Sequence, residues 1–60
     1  MSAEDLYIKH IENGIRSIVN GTKSVKDANV GVSLNKLKQI NIGQYEDYLL
    51  KYKEALLKRK

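Results

Sequence analysis

Sixty residues without cysteine or proline, carrying a net charge of +4, leave no disulfide framework and no thiolate metal site. A monomer of this length buries only about 60% of the surface its unfolded chain exposes, so tight helix packing or self-association must supplement one small domain. The longest apolar runs, Leu6-Tyr7-Ile8, Tyr48-Leu49-Leu50 and Ala55-Leu56-Leu57, are too short for a signal peptide or a membrane span, so the expectation is a cytoplasmic protein with no membrane partner.

Ser2 opens the first element. Its side chain can accept from the Asp5 amide, the spacing of a capping box, and Ile8, Ile11, Ile15, Ile18 and Val19 then follow one helix face. Asn20-Gly21 supplies a left-handed stop. Ser24 repeats the opening device with Asp27, and from there the lack of proline permits one helix as far as Leu57 or beyond, roughly 50 Å long at ~1.5 Å per residue. Gly31 and Gly43 argue against perfect continuity. A kink or short break is expected near Gly43, with Asn41 able to cap the helical stretch beyond it.

The last stretch is the strongest helix, with Tyr45, Tyr48, Leu49, Tyr52 and Leu56 in one stripe. On a single helical wheel Val25, Ala28, Val32, Leu50 and Leu57 gather on one side. Val30, Leu34, Leu37, Tyr45, Tyr48, Tyr52 and Leu56 spread across the other. One short first helix cannot cover both sectors. The expected fold is therefore all-α, one domain over residues 1–60: a helical hairpin with a long second arm, dimerising into a four-helix bundle. The self-association and partner surface is assigned to Ile42, Tyr45, Tyr48, Leu49, Tyr52 and Leu56. The tyrosines fit either a buried dimer edge or a protein-binding hot spot.

Charge is unevenly spread. Residues 1–15 sum to −2, residues 16–38 to +4 through Arg16, Lys23, Lys26, Lys36 and Lys38 against Asp27, and residues 39–60 to +2. A solvated basic surface and a nucleic-acid footprint both fit that map. Catalysis finds little support. The lone His10 lies opposite the isoleucine stripe, the pairs Glu4-Asp5 and Glu46-Asp47 diverge by about 100° on a helix, and no glycine-rich phosphate loop occurs, so neither a metal nor another cofactor is expected.

Val30-Gly31-Val32 followed by Ser33, Asn35, Lys36, Lys38 and Gln39 resembles the turn and recognition helix of helix-turn-helix proteins. That resemblance implies a DNA-binding regulator whose Ser33, Asn35, Lys36, Lys38 and Gln39 reach base edges and phosphates. It departs from the pattern at Asp27, where a small residue is usual. A second resemblance rests on Asn20-Gly21, Ser24 and Asp27-Ala28-Asn29, which is similar to small helical accessory proteins of phages and prophages. It implies a mobile-element origin without naming an activity; the partner expected is a host or phage protein of unknown identity, met in the host cytoplasm. The principal expectation is a non-enzymatic homodimer that binds and modulates, by inhibition, another protein; the alternative is the DNA-binding regulator.

Overall fold

In a computed structural model, which describes residues 2–59, the elements are α1 (Ala3–Asn20), α2 (Val25–Ala28), α3 (Val30–Ile40) and α4 (Ile42–Lys58). Both serine signals act as expected. Ser2 and Ser24 hold extended backbone, and their hydroxyl oxygens accept from the amides of Asp5 at 3.2 Å and Asp27 at 3.1 Å. Gly21 adopts φ 76°, so its amide reaches the Ile18 carbonyl while the Thr22 amide reaches that of Ser17. This paired closure satisfies two carbonyls that the end of α1 would otherwise leave open.

The single long second arm is not what forms. The break expected near Gly43 falls at Asn41, which caps the helix beyond it; a second break, not expected, falls at Asn29, and helix runs through Gly31 and Gly43 themselves. Asn29 is left-handed at φ 55°, a conformation asparagine tolerates better than other side-chain-bearing residues, and it limits α2 to one turn. Asn41 is extended, and its Oδ1 accepts from the Gln44 amide at 3.2 Å while its own amide donates to the Leu37 carbonyl at 2.8 Å. One residue thus finishes α3 and starts α4. A helical glycine costs only about 1 kcal/mol and offers no competing hydrogen bond, whereas the Asn41 side chain replaces a backbone partner that the break removes; Asn29 makes no such bond and contributes its tolerance of the left-handed conformation.

Because of these breaks the chain supplies its own third helix. α3 packs against α1, α4 lies across both, and α2 touches α1, within a body of 31 × 20 × 15 Å. Ile11, Ile18, Ala28, Val30, Leu34, Leu37, Tyr48 and Ala55 form the core. Each break also resets the helical phase. Ala28 therefore buries beside Val30 and Leu34, although continuous winding would place them on opposite sides, while Val32, Leu50 and Leu57 remain outside.

At the closest crossing, Gly14 of α1 meets α3. It is buried, and a methyl group in its place would overlap Val30 Cγ2 and touch Ala28.

Candidate protein-binding surface

α4 carries the stripe assigned to a partner, and the structure divides it. Tyr48 turns inward, 9% exposed, and its hydroxyl donates to Glu12 Oε2 of α1 at 3.1 Å. It belongs to the chain's own core, as does Ala55. Tyr45, Leu49, Tyr52 and Leu56 are half-buried, and the first three pack beside that core. Ile42 stands free at 53% exposure. Two leucines outside the assigned stripe are more open still, Leu50 at 62% and Leu57 at 88%. A single wheel groups them with Val25 and Ala28; only the break at Asn41 reveals that they share the solvent face of α4.

Beside the stripe runs an open groove of about 400 Å³ between α3 and α4, lined by Val32, Leu34, Asn35, Tyr45, Leu49 and Tyr52. Its floor is apolar and its rim basic. Lys36 lines that rim, and the Lys38 ammonium sits 5.5 Å from the centre of the Tyr45 ring; the Lys51 ammonium, 4.7 Å from the centre of the Tyr48 ring, belongs to the other side of α4, which faces α1. The Lys38 contact keeps the Tyr45 ring oriented at the edge of the groove and places positive charge over its face.

The residues of the DNA-reading alternative separate as well. Asn35, Lys36, Lys38 and Gln39 are exposed along α3, but Ser33 is buried at 8% and cannot project from the same face. Gly31 lies inside the first turn of α3 and not in a turn between helices; the left-handed residue is Asn29. The helix before it spans only Val25–Ala28, too short for the scaffold helix of a helix-turn-helix unit. No protein family, curated protein or solved structure matches this chain.

His10 is exposed on α1, and Glu46 and Asp47 are exposed on α4. Among the described residues no cluster of three or more histidine or carboxylate groups has the placement of a metal site, and no helix is long and apolar enough to cross a membrane.

The bond between Tyr48 and Glu12 makes stability sensitive to alkali. Burial pushes the Tyr48 hydroxyl above its usual range, and the hydrogen bond to Glu12 with the charges of Glu12 and Asp47 pushes the same way. A group whose pKa is raised on folding stabilises the fold below its unfolded value, near 10, and that stabilisation is lost as pH climbs through the folded value. Tyr48→Phe should cost about 1–2 kcal/mol at pH 7 through loss of the charge-assisted bond. Thermal unfolding of both proteins from pH 7 to 11 checks this: the gap in Tm should narrow above pH 10, and a constant gap would remove Tyr48 as the alkaline switch.

Proposed function

We propose that this chain is a non-catalytic protein-binding module that self-associates through α4 and modulates a second protein. The observation that carries this reading is the solvent face of α4, where Ile42, Leu50 and Leu57 are exposed beside the half-buried Leu49 and Leu56. An amphipathic helix that already buries Tyr48 and Ala55 inward has no internal need for three large apolar groups outward. The α3–α4 groove, apolar below and basic at the rim, supports a partner helix with an acidic border. The target in this reading is a host or phage protein in the cytoplasm, in keeping with the mobile-element origin that the resemblance at residues 20–29 implies, and the modulation proposed is inhibition.

Sedimentation equilibrium tests the self-association. At micromolar concentration the chain should weigh twice its 6.9 kDa mass, and Leu50→Asp should return a folded, helical monomer because Leu50 contributes nothing to the internal core. A monomeric wild-type chain would end the reading.

The DNA-binding reading keeps one observation in its favour, the exposure of Asn35, Lys36, Lys38 and Gln39 along α3. Were it correct, duplex DNA would be retarded at low salt and released as salt rises. No retardation is expected at micromolar protein, and salt-sensitive retardation lost on Lys36→Glu would promote this second reading over the first.

A further inference from the structure

The solvent face of α4 holds a charge pattern that its apolar residues alone do not explain. Ile42, Glu46, Leu50, Lys53 and Leu57 are all exposed and fall within an arc of about 80° on the helix. From Ile42 to Leu57 the arc is about 22 Å long. The sequence positions are symmetric: Ile42 and Leu57 lie equally far from the midpoint between Leu49 and Leu50, and so do Glu46 and Lys53. A two-fold axis through that midpoint turns one α4 antiparallel onto another.

We infer that the occupant of this face is a second copy of the chain, docked with its α4 antiparallel, so that Glu46 of each copy meets Lys53 of the other. Ile42 then packs against Leu57 at both ends, and the two Leu50 side chains meet at the axis. This rests on the self-association reading and adds its orientation and register.

The parallel alternative fails on electrostatics. In a parallel pair Glu46 faces Glu46 and Lys53 faces Lys53, two like-charge contacts on the same seam. Antiparallel docking makes both contacts opposite in sign. Exposed pairs contribute little affinity; what they set is the choice of partner direction. An isologous interface also requires each patch to complement itself, which a helix face with one acidic and one basic residue, Glu46 and Lys53, equidistant from its centre does. The surface stays clear of the rest of the fold, because Tyr48 and Ala55 face the core from the opposite side of the helix. The α3–α4 groove, bordering the other flank through Tyr45 and Tyr52, stays open for a different protein.

The chain has no cysteine of its own, so single introduced thiols report orientation without background. Chains carrying Ile42→Cys should form a disulfide with chains carrying Leu57→Cys when the two are mixed and mildly oxidised, and each variant alone should form little. Glu46→Lys should weaken the dimer on the order of ten-fold, since two attractive contacts become repulsive. Mixing Glu46→Lys chains with Lys53→Glu chains should restore it as a heterodimer. A wild-type dimer in which Ile42→Cys links to itself and the mixed pair does not would overturn the antiparallel arrangement while leaving self-association standing. A wild-type monomer at micromolar concentration would overturn both.

Discussion

Gly14→Ala should lower stability by about 2 kcal/mol, while Gly31→Ala, the same change on another helix, should raise it by roughly 0.5–1 kcal/mol. Alanine leaves the unfolded chain less freedom to lose than glycine does, and at Gly31, in the first turn of α3, nothing lies within 4 Å of the added methyl to oppose that gain. At Gly14 the methyl runs into Val30 Cγ2. Val30 is fully buried at 0% exposure and β-branched, so its side chain has neither room nor rotamers with which to yield. The overlap therefore has to be relieved by moving α1 off α3, at the upper end of the ~1–3 kcal/mol typical of overpacking.

A double-mutant cycle separates this from a general intolerance of change at Gly14. Val30→Ala alone opens a cavity, but it also removes the atom that the Gly14→Ala methyl strikes. The double variant should be more stable than the sum of the single losses predicts, by at least about 1 kcal/mol. Urea denaturation of the four proteins measures the coupling. Strict additivity would mean that the two helices do not meet at these residues.

Leu37→Ala should be the most damaging single truncation. Leu37 is at 0% exposure in α3, in the core cluster to which α1 and α4 also contribute. Removing a buried leucine side chain to alanine costs about 2–5 kcal/mol. A domain of this length holds on the order of 3–9 kcal/mol in total at the usual stability per residue. Leu37→Ala should consequently leave the chain partly or wholly unfolded at 37 °C by far-UV circular dichroism. Val32→Ala, on the same helix at 54% exposure, should shift stability by less than about 0.5 kcal/mol. Equal effects at the two positions would contradict the orientation of α3.

The caps at Ser2 and Ser24, the left-handed stop at Gly21 and the inward isoleucines of α1 are legible in the sequence, since each depends on residues within one or two turns. Asn41 is legible as a cap for the same reason. Asn29 is not, because a left-handed asparagine inside an otherwise helical run has no sequence mark that distinguishes it from a helical one. A single wheel drawn through residues 25–57 ignores both this break and the one at Asn41, and so hides the exposure of Leu50 and Leu57. The covering that α3 and α4 give each other then falls to a second molecule. Tyr48 illustrates the remaining gap. Its period matches the stripe, and only the packing of α4 on α1, which buries Ala55 on the same side and brings Glu12 to the Tyr48 hydroxyl, shows that it turns inward.

The connections between helices are all brief: residues 21–24 join α1 to α2, and single asparagines make the other two links. Closing such turns consumes little chain entropy; α3 packs on α4 immediately next to it along the sequence, and α1 closes on α3 and α4 across a short chain. Helical proteins dominated by contacts of this kind reach their native state in about microseconds to milliseconds. For a domain of this size, whose stability margin is small, such a topology gives each opening a fast route back.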